Sequence, residues 1–237
     1  MKEIFLDTET IDLPENIEGD ILIELAFILK LESGKCTTFQ EYFAPENLDK
    51  MDTGAMERTN LTPELIRQKM VEQSDRQVDT LKVLKLLVQD ENNVLYIHNA
   101  KFDLEVLRRV GIIPNCKIVC TFKVATQLND MLNLPYTRTS LGYLHYYYRN
   151  DLKVQAGDFH SATFDCVCLK ELVQYWKDNI NLDIDVACKI TAEPILLKYC
   201  HFGKNRGTEW TKMSSNQLKY YYDLGNEDIC ATIDKIF

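Results

Sequence analysis

The order of strand-like and helix-like segments is what most narrows the folds open to this chain. Ile4–Leu6 reads as a short buried strand running into Asp7-Thr8-Glu9-Thr10. Residues 21–45 read as two further strands joined by a turn near Ser33-Gly34, so the chain opens with a three-stranded meander. Helices and strands then alternate. Residues 62–90 read as helix, with Thr62-Pro63-Glu64 as a start signal and helical spacing of apolar residues over 81–88. Residues 93–98 read as a buried strand, and Asn99 as the N-cap of a helix that Gly111 stops. Residues 117–132 read as a strand turning into a helix, 140–148 as another helix, and 162–179 as a long helix capped by Ser161. The expectation is an α/β layer fold with its functional groups at the ends of the central strands. A polar stretch ending near Pro194 is the expected boundary. Beyond it, residues 194–237 read as a small β-rich module ending in a helix.

Composition excludes several classes. A 46% hydrophobic fraction supplies enough apolar material to offset chain entropy, which rules out a disordered chain. Only 9 Gly and 6 Pro rule out collagen-like and linker-rich proteins. No window approaches the apolar run that a membrane span requires, so no membrane partner is expected. The first residues place carboxylates where a signal peptide would need an apolar core, so a cytoplasmic location is expected. None of the eight cysteines forms a C-x-x-C pair, and they are expected to be reduced, buried thiols. The net charge of −9 argues at first against a nucleic-acid partner. Its distribution alters that reading. Residues 1–110 hold 13 Lys and Arg against 22 Asp and Glu, whereas residues 111–237 hold 14 against 14. Some of the excess acidity in the first half is available to hold cations.

Three clusters carry chemistry. Asp7 and Glu9 sit two apart on a strand and therefore share a face. Two carboxylates about 4 Å apart repel by roughly 4 kcal/mol at an effective dielectric of 20. A divalent cation with a preference for oxygen ligands offsets that cost, unless both side chains simply reach solvent. Asp103, in His98–Asp103, falls in the first turn of a helix, where a carboxylate also complements the helix dipole. His160 and Asp165 flank the start of the long helix, and a histidine there can equally be a core or surface residue with an ordinary partner. Each cluster alone has a plain structural explanation. Together they form an ordered pattern: D-x-E, then D at the head of a middle helix, then H-x4-D at the head of a late one.

In that pattern the sequence resembles the DEDDh (DnaQ-like) 3′→5′ exonucleases, which have an RNase H-like fold with a mixed central sheet flanked by helices. The stretch DTETIDL is similar to the family's DTETTGL. AMERTNLTPELI (55–66) and FGKNRGTEW (202–210) resemble segments of exonuclease X-like proteins. Three positions depart from the pattern. Asp12 replaces the usual Gly, Thr59 stands where His is frequent, and Cys120-Thr121 stands where Asp-Thr is common.

The resemblance implies a domain over 1–180 and a C-terminal exonuclease X-type module over 194–237. It implies metal-dependent release of nucleoside 5′-monophosphates from DNA, with a role in DNA repair. Two Mg²⁺ or Mn²⁺ ions would be held by Asp7, Glu9, Asp103 and Asp165, with His160 as general base. Thr8, Leu13, Asn99 and Phe102 would contact the 3′ end of the substrate, although Leu13 and Phe102 could equally be core residues. Between Lys198 and Tyr222 five basic residues face one acidic residue, Glu209. Basic side chains compensate phosphate, and the interleaved aromatics either stack on bases or form the core of the module. The alternatives are a polymerase proofreading subunit, an RNase T- or oligoribonuclease-like RNA trimmer, and a non-catalytic nucleic-acid-binding protein.

Overall fold

The computed structural model describes residues 1–74, 78–132, 138–148, 151–152, 160–200 and 203–236. Its centre is a five-stranded mixed sheet in the order β3-β2-β1-β4-β5. The strands are β1 (Glu3–Thr10), β2 (Leu22–Lys30), β3 (Cys36–Tyr42), β4 (Val94–Ile97) and β5 (Lys117–Cys120). β1, β2 and β3 pair antiparallel, as expected of a meander, while β4 lies parallel to both β1 and β5. Parallel neighbours need crossover connections, and helices supply them.

Period-2 alternation assigns each strand residue to a layer. Ile4 and Leu6 face one core with Val106, Leu107 and Ile66. Phe5, Ala26, Val94, Tyr96 and Val119 face the other, with Leu169, Leu172 and Trp176. The first layer holds α1 (Thr53–Thr59), α2 (Pro63–Gln73), α3 (Thr80–Val88) and α4 (Ala100–Arg109). The second holds α5 (Thr121–Leu132), α6 (Leu141–Tyr147), α7 (Ala162–Ile180) and α8 (Ile184–Ala192). α7 is the axis of that layer. Ala162, Asp165, Cys166, Leu169, Leu172, Val173 and Trp176 form its buried stripe at helical spacing.

The region 62–90 contains two helices rather than one. α2 starts as its signals predict, with the Thr62 hydroxyl accepting from the Leu65 amide and Pro63 in the first turn. The helix ends by Ser74, and Asp79 then caps α3 through the Lys82 amide. Asp79 is a start signal inside what reads as one apolar periodicity. α1 forms on an Asp52 cap and ends at Asn60 in the left-handed conformation. The stretch leading to Pro194 is also structured, because α8 buries Ala187 in the second core.

The C-terminal module is helical rather than β-rich. Its described residues carry one isolated bridge, Tyr199 to Glu209, and two helices, α9 (Ser215–Tyr222) and α10 (Glu227–Ile236). A reciprocal capping box between Ser214 and Gln217 starts α9. Trp210, Tyr221, Met213, Leu218, Ile229 and Ile233 form a separate small core. Two of the aromatics are therefore committed to packing, while Tyr220 and Tyr222 stay exposed and Phe202 lies outside the described residues. Lys123 on α5 ties the module to the sheet domain, lying 3.4 Å from Asp228 and donating to the Glu193 carbonyl. All eight cysteines are free thiols. Cys36 is exposed rather than buried, because it opens the edge strand β3. No helix among the described residues is long and apolar enough to cross a membrane.

Trp176 is fully buried at the centre of the second layer. Trp176→Ala is expected to cost about 3–5 kcal/mol through lost burial and a cavity, read as a lower urea midpoint. A change within experimental error would show that the layer does not depend on it.

Candidate active site

The crevice begins where β4 stops. β4 pairs with β1 only from Glu3 to Leu6, so Asp7, Thr8 and Glu9 run past its end with that edge open. Asp7 and Glu9 share the Phe5 face and so look toward α7, whereas Thr8 looks toward α4. The two helices then deliver further carboxylates from opposite layers. Asn99 adopts the left-handed conformation (φ 65°) and turns the chain from β4 into α4. Its side chain makes no cap hydrogen bond, so the N-cap position is as expected but its work is done by backbone geometry. One turn later Asp103 is almost fully buried, and its Oδ1 accepts from the Thr8 hydroxyl at 2.7 Å.

At the head of α7, Ser161 likewise makes no side-chain cap bond. His160 is left-handed (φ 68°), an uncommon conformation for a residue with a side chain. Its backbone N–H donates to Asp165 Oδ2 at 3.2 Å, while Asp165 Oδ1 is buried without a hydrogen-bond partner. Ligand atoms of Glu9, His160 and Asp165 lie within 4.8 Å of one another. The resulting cavity of about 510 Å³ is lined by Asp7, Thr8, Glu9, Asp103, His160 and Asp165, together with Asn99, Phe102 and the start of α6. Phe102 is half-buried, packing on the first core while lining the cavity. Leu13 is 43% exposed on the loop after β1 and so is not a core residue.

Mutual repulsion and burial shift these groups together. Desolvation, reinforced by Asp103, Glu9 and Asp165, raises the Asp7 carboxyl well above its ordinary range. Burial, with Asp165 and Glu24 beside it, pushes Glu9 up to about 9. Burial also raises Asp103 to about 7, against the pull of its hydrogen bonds from Thr8. Asp165 rises to about 7 by burial, opposed by the His160 amide. A cluster of hard carboxylate oxygens with raised proton affinity and one orphaned oxygen suits a divalent cation.

Some of the machinery escapes a reading of the sequence alone. Glu24 lies directly across from Glu9 in the β1–β2 register. It is 1% exposed, accepts from Gln40 Nε2 at 2.7 Å, and receives the Ala162 amide at the head of α7. Its one signal is a lone charge inside the apolar run of β2. Arg58, on α1, is the cation whose field lowers Glu9 and His160. His98 also lines the crevice, and burial lowers it to about 4, so it is uncharged at neutral pH. Nothing in the local sequence marks either residue.

Carboxylates from β1, α4 and α7 thus converge beyond the central strand of a mixed α/β sheet, in a crevice suited to a divalent cation. A family model described as 3'-5' exonuclease matches residues 64–191, more than half of the chain, and the protein belongs to that family. The match includes Asp103, His160 and Asp165 and starts after Asp7 and Glu9. No curated protein sequence matches the chain.

Among solved structures, exonuclease X in complex with 5' overhanging duplex DNA is 22% identical. Its TM-score is 0.56, and the likeness covers 80% of this chain and 98% of that one. E. coli exonuclease I in complex with a dT13 oligonucleotide is 14% identical with a TM-score of 0.58, covering 74% of this chain and 41% of that one. The nuclease domain of 3'hExo, a DEDDh family member bound to rAMP, is 18% identical with a TM-score of 0.54, covering 77% and 94%. These likenesses establish the mixed-sheet, RNase H-like fold. DEDDh exonucleases use divalent metal ions, and one similar structure is a zinc-bound exonuclease I–ssDNA complex.

The raised carboxyls fix a pH dependence. Asp103 and Asp165 at about 7 and Glu9 at about 9 hold protons that the unfolded chain releases near pH 4. Their contribution to stability is fully present below the unfolded values and is lost as pH rises through the folded ones. Metal-free protein should therefore melt at progressively lower temperature between about pH 5 and pH 9, and saturating Mn²⁺ should flatten that slope. A melting profile indifferent to both would mean that the four carboxyls do not share one field.

Proposed function

We propose that the chain is a 3′→5′ exodeoxyribonuclease that releases nucleoside 5′-monophosphates from DNA 3′ ends in repair or processing. The observation that carries this reading is the meeting of Asp7, Glu9, Asp103, Asp165 and His160 in one crevice, with Asp165 Oδ1 left unpartnered. Asp7, Glu9 and Asp165 would hold two Mg²⁺ or Mn²⁺ ions, with Asp103, anchored by Thr8, closing the set. Bound divalent ions neutralise a non-bridging phosphate oxygen, activate water and stabilise the leaving alkoxide.

The residues of the chain do the rest. His160 takes the proton from the attacking water. Burial and the nearby Arg58 lower its pKa, so the imidazole is neutral and able to accept at physiological pH. Its backbone amide meanwhile holds Asp165 in place. Asn99 and Phe102, at the head of α4, line the pocket for the terminal nucleotide. Backbone groups at Thr8 and Glu9 receive the 3′-hydroxyl, while the exposed Leu13 wedges against the terminal base. The 194–237 module adds nucleic-acid contacts.

The preference for DNA rests on likeness to exonuclease X, whose solved complex contains duplex DNA. Likeness to 3'hExo, solved with rAMP, favours RNA trimming as the second reading. Matched DNA and RNA oligonucleotides, 5′-labelled and followed with and without EDTA, separate the two and report polarity.

His160→Ala should lower turnover by about 10²–10⁴-fold, the range for a general base, with Mn²⁺ affinity retained in calorimetry. Lost affinity would make His160 a ligand, and near-native turnover would remove it from the mechanism. Asp7→Ala should abolish cation binding along with activity. Leu13→Ala should slow digestion from duplex ends more than from single strands, and equal slowing would remove the wedge.

A further inference from the structure

Two further cavities meet the crevice at Asn99. One, of about 340 Å³, runs between α4, α5 and the start of α10, and its walls carry Lys101 and Lys123 as well as Glu227 and Asp228, with Lys123 3.4 Å from Asp228. The other, of about 550 Å³, shares His98, Asn99 and Ser140 with the crevice and continues to Phe122, Arg138 and Arg206. No carboxylate is among its described lining residues.

Both arginines are exposed, and neither guanidinium has an ion-pair or hydrogen-bond partner among the described residues. The other arginines in ion pairs differ. Arg67 is paired with Asp49 and Arg108 with Glu105, while Arg109 binds Glu105 and the carbonyls of Pro14, Ile17 and Gly19. Arg138 lies just ahead of α6 and Arg206 belongs to the C-terminal module, so the module forms part of this groove. With His98 uncharged, the two guanidiniums supply the ionic character of the groove among its described lining residues. Phe122 stands edge-on to the His98 ring at 6.0 Å and gives the groove an aromatic wall.

We propose that this groove is the track for the nucleic-acid strand upstream of its 3′ end, with Arg138 and Arg206 binding its phosphates. The proposal rests on the exonuclease reading above and adds the path of the substrate. Among the described lining residues this groove carries two guanidiniums and no carboxylate, whereas the two carboxylates of the other exit are balanced by its two lysines, so a polyanion is drawn more strongly into this one. Exposed guanidiniums contact phosphate in charge-assisted, bidentate fashion, and the aromatic wall accepts a base by stacking. The track also gives the C-terminal module a defined role, because Arg206 lines a groove that opens off the crevice. In a chain of net charge −9, such a local basic path is how a phosphate backbone is retained.

The test compares two substrates of the full-length protein: a labelled single-stranded oligonucleotide, and the p-nitrophenyl ester of thymidine 5′-monophosphate, which reaches only the active centre. The R138A/R206A variant should raise KM for the oligonucleotide by tenfold or more beyond any change for the ester. Its log–log salt dependence should become shallower by about 1.4, since each single-strand phosphate contact contributes about 0.7. R138K/R206K should retain the steeper slope, and R67A/R108A, removing the same charge outside the groove, should behave as wild type. Equal effects on both substrates, or an unchanged slope with both substrates cleaved, overturn the track alone. If the wild-type protein cleaves neither substrate, the exonuclease reading falls and the track with it.

Discussion

Electrostatic repulsion among four carboxyl groups in a half-buried crevice is the constraint around which this structure is arranged. Left in water, Asp7, Glu9, Asp103 and Asp165 would separate and ionise independently. Here the strand pins two of them on one face, and the heads of two helices push the others in from opposite layers. Each is buried at the expense of its charged form, and proton affinity rises across the set. A site of this kind is incomplete without positive charge. The small positive contributions around them, the Thr8 hydroxyl, the His160 amide and the field of Arg58, orient the oxygens more than they neutralise them.

The secondary elements explain how such an unfavourable cluster is held. Antiparallel pairing with β2 covers one edge of β1 along its whole length, so Asp7 and Glu9 are fixed even though β4 has ended. Two left-handed residues, Asn99 and His160, make the sharp turns into α4 and α7. α7 is anchored in the second core by its own Leu169, Leu172 and Trp176, and α4 in the first core by Val106 and Leu107. Glu24 adds a quieter restraint. It faces Glu9 across the strands and receives the Ala162 amide, joining β2 to the head of the helix that bears Asp165.

Much of this was legible in residue order. The meander, the later strands, and the starts of α2 and α4 all follow from apolar periodicity and local signals. The spacing of D-x-E, Asp103 and H-x4-D marks the acidic residues and the histidine. The failures have physical causes. The helix expected over 62–90 is divided because Asp79 caps a new start, a local signal that a continuous apolar periodicity hides. The C-terminal module reads as β-rich with a closing helix, yet Trp210 and Tyr221 pack in a core built with two helices, and the described residues of the module carry one isolated bridge, Tyr199 to Glu209. Glu24, Arg58 and His98 were missed because their importance lies in what stands across a strand or a crevice.

The sequence by itself determined which face of β1 carries Asp7 and Glu9, because strand side chains alternate with a period of two whatever surrounds them. It also determined that Asp103 and Asp165 lie in the first turns of helices, since spacing from a start signal is a local property. Tertiary structure alone decided that β4 stops short of Asp7, that α4 and α7 approach that opening from opposite layers, and that Arg138 and Arg206 line one groove. Those facts depend on contacts between residues far apart in the chain, such as Thr8 and Asp103, 95 positions apart, and Ala26 and Cys166, 140 apart. Pairing over that distance is set by how layers pack, and neighbouring residues carry no record of it.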